Sequence, residues 1–283
     1  MFRILIALVL SIQILLTEEV LSQSSDVHHV ASFNIHYIVP NDKDDDWQRR
    51  KHAVTNILIE MDADIVAFQE METFDGGHYS KRNIQLDWVV SSTTGYEVAA
   101  IGAPDVFPHT QPIIYKEDKY TVIDQGFFFF SDTPDEIYSR QWNGSYPYFC
   151  SWVQLHINNA EGAFYVFNVH NDYKSRSNRL ETSRLITDRL EEIVDEDLPI
   201  IILGDFNVPK WGKELDILSP IGLKIVPPDG STNRILGLPI LPAIDHILVS
   251  ADFKLHDDIR VWRNRYDGVY PSDHFPISIE LTF

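Results

Sequence analysis

Ile200-Ile201-Ile202-Leu203-Gly204-Asp205-Phe206-Asn207 is the stretch on which the reading of this chain turns. A short, β-branched apolar run closed by glycine and polar residues predicts a buried strand that delivers a carboxylate and an amide at its end. The pattern recurs on both sides. The run at 27–34 ends in Asn34, that at 64–70 in Gln69-Glu70, and that at 164–170 in Asn168-Val169-His170. Asp245-His246 lies in the run at 243–250, and Ser272-Asp273-His274-Phe275-Pro276 leads into the run at 275–283. One Asp or Asn at a strand end is usually a turn former. Six termini that each bring a carboxylate, amide or imidazole predict a single polar site where the strands end.

Two helical patterns separate these runs. Trp47, Val54, Ile57, Leu58 and Met61 share one face, as do Leu180, Ser183, Ile186, Leu190 and Ile193, with Ser177 or Asn178 placed to cap the second helix. The four consecutive aromatics at 127–130 read as a strand covered on both faces. Strands and helices mixed without strict alternation predict an α/β fold with sheets stacked between helices. No internal repeat or linker divides the chain, so the expectation is one domain, residues 23–283.

The chain has 283 residues, 44% of them hydrophobic and 23% charged, with 23 Lys and Arg against 42 Asp and Glu. That composition supports one large core and excludes disordered and collagen-like chains. The net charge of −19 argues against a protein that coats nucleic acid, which needs an excess of cations. A nucleic-acid substrate is disfavoured but stays open. Met1-Phe2-Arg3, the apolar stretch at 4–16 and the polar turn that follows read as a secretory leader cleaved after Ser22; the apolar stretch is too short to span a bilayer. The expected product is a secreted monomer of charge −18. Cys150, the only cysteine, sits between aromatics as a small buried hydrophobe, and Asn143-Gly144-Ser145 is a weak glycosylation acceptor.

Asn, Glu and Asp oxygens in one set suit a hard cation such as Mg²⁺, and adjacent histidines can carry the charge of an attacked phosphate. The spacings match no zinc site, and there is no glycine-rich phosphate loop or Gly-x-Ser-x-Gly elbow. The acidic stretch at 42–46 lacks the glycine and terminal glutamate of a calcium loop and reads as a solvated loop.

The ordered set SFN, QE, NVH, GDFN, IDHI and SDHFP resembles the endonuclease/exonuclease/phosphatase superfamily of DNase I-like enzymes over nearly the whole chain, 27–283. The middle segment, with 125–136 and Cys150-Ser151-Trp152, resembles a sub-group of secreted or bacterial metal-dependent hydrolases. The resemblance implies a four-layer α/β sandwich with one active site at the sheet edge. It implies that Glu70 binds the divalent metal (Mg²⁺, with Mn²⁺ or Ca²⁺ as substitutes), with Asn34 and Asp273 in or near its shell. Asp205 would activate the attacking water, and Asn207 would hold that water or the phosphate. His274, oriented by Asp245, and His170 would stabilise the pentacovalent phosphorane. Asn168 and Arg179 are expected on the substrate side.

Two positions depart from the family pattern. Tyr173 stands where a second histidine is common, and Tyr148 where many of the sub-group carry an arginine. Losing that arginine weakens the case for a monoesterase and puts a diester slightly ahead. His246 replaces a common tyrosine and reads as structural. Three substrate classes stay open. A nuclease would use cations such as Lys174, Arg176, Arg179, Arg184, Arg260, Arg263 and Arg265. A sphingomyelinase-like enzyme would expose Trp142, Tyr146, Tyr148 and Phe149 to lipid. A sugar or nucleotide phosphatase needs only a compact pocket. A non-catalytic binding relative is the remaining alternative, and the intact set of acids and histidines speaks against it.

Overall fold

The computed structural model describes residues 27–38, 47–71, 82–140, 142, 146–195, 198–219, 222–234, 239 and 241–282. The leader at 1–22, the acidic stretch at 42–46 and Asn143 lie outside them.

Thirteen strands and four helices are described. The strands are β1 (His28–Asn34), β2 (Ile65–Gln69), β3 (Tyr96–Ala99), β4 (Ile113–Lys116), β5 (Tyr120–Phe129), β6 (Phe149–Ile157), β7 (Ala163–His170), β8 (Ile200–Asp205), β9 (Lys224–Val226), β10 (Asp245–Val249), β11 (Lys254–Leu255), β12 (Arg260–Val261) and β13 (Ile277–Thr282). The helices are α1 (Trp47–Met61), α2 (Ile84–Ser92), α3 (Arg176–Ile193) and α4 (Lys213–Leu218). One sheet has the order β11-β13-β1-β2-β4-β3, with β12 also on β13, and the other the order β5-β6-β7-β8-β10-β9. Each is built around one parallel pair, β1–β2 and β7–β8, joined through a crossover helix, α1 or α3. Antiparallel strands flank both pairs: β13 and β4 in one sheet, β10 and β6 in the other.

Three separate cores show that the layers number four. Val30, Ile65, Val153, Val166, Ile201 and Ile279 fill the space between the sheets. Phe33, Trp47, Val54, Ile57, Phe68 and Val89 pack α1 and α2 against the outer face of one sheet. Phe167, Ile186, Leu190, Ile202, Leu215 and Leu248 pack α3 and α4 against the other. The protein is a four-layer α/β sandwich. Strand residues must then be apolar on both faces, which is why their runs are continuous rather than alternating.

Local chemistry fixes the elements. The predicted stripe on α1 is buried, joined by Arg50 and Ala53. On α3 Ser183, Ile186 and Leu190 are buried, but the cap is Ser175, whose Oγ accepts from Asn178 N at 3.3 Å, and not Ser177 or Asn178. The start is set upstream, where Asp172 Oδ1 accepts from Lys174 N and Ser175 N and Oδ2 accepts from Asn178 Nδ2. Gly204, with φ 146°, lets β8 approach β7: a Cβ there would lie 1.9 Å from the Val169 carbonyl oxygen. In the aromatic run Phe128, Phe129 and Phe130 are buried and Phe127 is half-buried, as a doubly covered strand requires. Cys150 is buried, and burial pushes its thiol well above the ordinary range, away from the reactive thiolate.

Candidate active site

Asn34, Gln69, His170 and Asp205 are the last residues of β1, β2, β7 and β8, and Asp245 is the first of antiparallel β10. The register aligns them: Asn34 pairs with Gln69, His170 with Asp205, and Asp205 with Asp245. Both parallel pairs therefore end at one edge of the sandwich. The backbone turns sharply just beyond it. Glu70, His36 and Asn207 adopt left-handed φ values of 57°, 62° and 52°, a conformation disfavoured for side-chain-bearing residues and concentrated at functional sites.

Asp205 is the centre of the cluster. Its Oδ2 accepts from Asn34 Nδ2 at 3.1 Å and lies 3.8 Å from His274 Nε2 and 3.9 Å from His170 Nε2. Its Oδ1 accepts from the Asn207 backbone N–H at 2.9 Å. Burial, then the charge of Asp245, pushes its carboxyl up to about 8. His274 Nδ1 donates to Asp245 at 3.0 Å. Burial opposes its protonation, but the charges of Asp245 and Asp205 prevail and hold the imidazole well above its usual range. Asp245 is itself fixed by the Thr232 hydroxyl, which donates to Oδ2 at 2.6 Å and accepts from the Asp245 and Ile244 N–H groups.

Glu70 Oε1 accepts from Asn34 Nδ2 at 3.1 Å and lies 3.6 Å from His170 Nε2. Burial would raise Glu70, yet the His36 hydrogen bond and the charges of His170 and His274 take it down to about 2, so it stays ionised. His36 was not singled out in the sequence. Its Nδ1 lies 3.5 Å from Glu70 Oε2 and 3.4 Å from Asp273 Oδ1, linking the two expected metal carboxylates. Only its position two residues past a strand-end asparagine could have signalled it. Donor atoms of Glu70, His170 and Asp205 lie within 4.8 Å of one another, as do those of Asp205, Asp245 and His274. An ionised carboxylate among oxygen and imidazole donors fits a divalent cation.

The remaining expected residues take other places. Asn34 presents its amide N–H to Glu70 and Asp205 while its Oδ1 accepts from His36 N, so it ties the two carboxylates together at the strand end. Asn207 Nδ2 donates to the Asn171 carbonyl, leaving its backbone N–H as the group on Asp205. Asn168 is a tie between the sheets rather than a substrate contact: its Nδ2 donates to the Phe68 and Gln111 carbonyls and its Oδ1 accepts from Gln69. Arg179 is likewise structural, donating to the Asp172 and Tyr173 carbonyls beside Glu214. Tyr148, in place of the arginine, stands edge-on to His170 with ring centroids 5.0 Å apart and fixes that imidazole. His246 is buried with Nε2 on the Val208 carbonyl, a structural role as expected.

The four aromatics supposed to face lipid are half-buried or buried. Tyr148 and Phe149 are buried, Tyr146 packs against the core, and Trp142 Nε1 donates to Asp132. The basic track of a nuclease is also broken up among the described residues. Arg184 pairs with Glu181, Arg260 stacks on Trp262, Arg265 on Tyr270, and Arg263 donates to the Asp229 and Ser231 carbonyls.

An imidazolium on a fixed carboxylate, a buried carboxyl of raised proton affinity and an ionised glutamate that could hold a metal suit a hydrolase acting on phosphoester bonds. The chain belongs to the endonuclease/exonuclease/phosphatase family, whose model matches residues 31–274. Members of that family generally depend on a divalent metal. A family protein of known structure from Bacteroides thetaiotaomicron is 27% identical, with a TM-score of 0.77 over 91% of this chain and 98% of its own. A mannosyl-6-phosphatase from the same organism is also 27% identical, with a TM-score of 0.76 over 90% of this chain and 100% of its own. The human Nocturnin catalytic domain shares the fold at 15% identity, with a TM-score of 0.64 over 91% and 93% of the two chains. No curated protein sequence matches the chain.

Proposed function

We propose that this protein is a secreted, monomeric, Mg²⁺-dependent hydrolase of small phosphate esters, and that its substrate is a sugar phosphate. The observation that carries the chemistry is the convergence of Asn34, His170 and His274 on one oxygen of Asp205. A cation held at Glu70, with Asp273 across His36, would supply Lewis-acid polarisation of the phosphoryl group. Asp205, with its raised proton affinity, takes the proton from the attacking water and is held in line by the Asn34 amide and Asn207 N–H. His274, charged by Asp245, donates from Nε2 to a phosphoryl oxygen as negative charge builds there, and His170 Nε2 faces the same space.

The sequence alone put a diester slightly ahead. Two considerations favour a small monoester instead. The net charge of −19 disfavours a polyanion. The likeness to a mannosyl-6-phosphatase extends over nine-tenths of the chain. Incubation with Mg²⁺ and hexose 6-phosphates, bis-(p-nitrophenyl) phosphate or plasmid DNA tests the choice. Release of phosphate from the hexose phosphates is expected; efficient nicking of DNA with no attack on hexose phosphates would overturn it.

A further inference from the structure

A cavity of about 180 Å³ opens between the loop after β8 and the loop before β10, lined by Lys210, Trp211, Pro228, Asp229, Leu241 and Pro242. Its walls continue directly from the catalytic strands. Trp211 lies four residues past Asn207, Asp229 three before Thr232, and Pro242 three before Asp245. At no more than about 3.6 Å per residue, the Cα atoms of these lining residues lie within roughly 11–14 Å of those of Asn207, Thr232 and Asp245.

The most unusual feature is Trp211, which is 67% exposed. Tryptophan is heavily buried on average, and here the exposed indole lines the cavity, where it offers an aromatic surface to a ligand. The indole is presented on a stiff turn. Gly212 N donates to the Pro209 carbonyl at 2.7 Å, and a Cβ on Gly212 would lie 2.1 Å from Val208 Cγ2. The opposite wall is equally fixed. Arg263 Nη2 donates to the Asp229 and Ser231 carbonyls at 2.7 and 3.0 Å, and Pro228 and Pro242 limit their own backbones. A rigid, preformed cavity requires little ordering when a ligand binds.

We propose that this cavity is a saccharide subsite, with Trp211 stacking on the apolar face of a pyranose ring and Asp229 accepting from its hydroxyls. The size fits: drug-sized ligands fill roughly 300–1,000 Å³, so this space suits a single ring. A carboxylate acceptor and the Lys210 ammonium donor beside the indole match hydroxyls, which both donate and accept, and so favour a polyhydroxylated ring. The position beyond the catalytic loops suits the sugar next to the one carrying the phosphate, so the natural substrate would be a phosphorylated oligosaccharide. The idea rests on the sugar-phosphate reading above and extends it.

Binding without turnover separates the two. The chain has six tryptophans, and in the ¹⁵N-indole NMR spectrum the variant Trp211→Phe identifies the Trp211 signal by its loss. Titration with unphosphorylated mannose, a mannose disaccharide or adenosine should shift that signal with the sugars, the disaccharide most. In turnover, Trp211→Ala should lower kcat/KM for a disaccharide phosphate about tenfold through KM, while leaving hydrolysis of the sugar-free monoester p-nitrophenyl phosphate unchanged. No sugar-dependent shift at any concentration, or a shift with adenosine alone, would overturn the subsite. Failure to hydrolyse any sugar phosphate while sugars still shift Trp211 would count against the earlier reading and leave the subsite standing.

Discussion

At the scale of single residues the chemistry depends on where protons sit. Asp205→Ala removes the base and His274→Ala the charged donor, so each should lower kcat at least about 10²–10³-fold with an unchanged circular dichroism spectrum. Folded variants with near-normal rates would rule out both roles. The pH profile carries a second expectation. Asp205 acts as a base only when ionised, and burial together with Asp245 raises its carboxyl to about 8. The acid limb of the kcat/KM profile should therefore lie above the ordinary carboxylate range, with activity rising as pH rises through it, and should move down as the charge of a cation at Glu70 is added. Asp245→Asn deletes the charge that adds to burial at Asp205, and kcat should fall in that variant. It should also lose His274 protonation, because His274 Nδ1 rests on Asp245. Asp64 illustrates the opposite sign. Burial would raise its carboxyl, but the His29 N–H and the Lys119 and Lys116 ammonium groups lower it below the usual value of 3.8. Its contribution is thus full above the unfolded value and lost as pH falls through the folded one. Asp64→Asn should cost roughly 1.5–3 kcal/mol near neutrality, a difference that shrinks below about pH 4 in denaturant titrations.

At the scale of elements, strand ends place the site and strand spacing protects it. Gly204→Ala would drive a Cβ into the Val169 carbonyl and force a φ of 146° on a side-chain-bearing residue, separating β7 from β8 just where His170 pairs with Asp205. A loss of at least about 2–3 kcal/mol and a large fall in activity are expected from thermal melts and rates measured together. The six apolar runs and both long helices were legible in the sequence because burial on both faces leaves continuous β-branched stretches and a 3.6-residue stripe. The short edge strands β3, β9, β11 and β12 were not, since two to four residues carry no periodicity. The same limit applied to side chains. Asn168 lies in β7 two residues before its terminal His170, and its side chain bonds to Phe68, Gln111 and Gln69, partners far away in the sequence that no one-dimensional pattern reveals. His36 was missed because its importance comes from a left-handed turn that aims its ring at Glu70 and Asp273. The hydrogen bonds of Arg179 to the Asp172 and Tyr173 carbonyls and the burial of Tyr148 and Phe149 were illegible for a related reason: long or aromatic side chains look free until their partners are known.

At the scale of the molecule, two sheets each end a parallel pair at one edge, and that shared edge gathers acids whose mutual repulsion is tolerable only with imidazolium or a cation among them. The central claim is therefore that catalysis needs both Asp205 and a divalent metal at Glu70. The most direct measurement is phosphate release from a hexose 6-phosphate by residues 23–283. The protein would be stripped with a chelator and then titrated with Mg²⁺, beside Asp205→Ala and Glu70→Gln. The stripped enzyme should be silent and regain turnover on adding Mg²⁺. Glu70→Gln should require at least tenfold more metal, and Asp205→Ala should stay inactive at every concentration. Full turnover by the thoroughly stripped enzyme, or by Asp205→Ala at any metal concentration, would contradict the account.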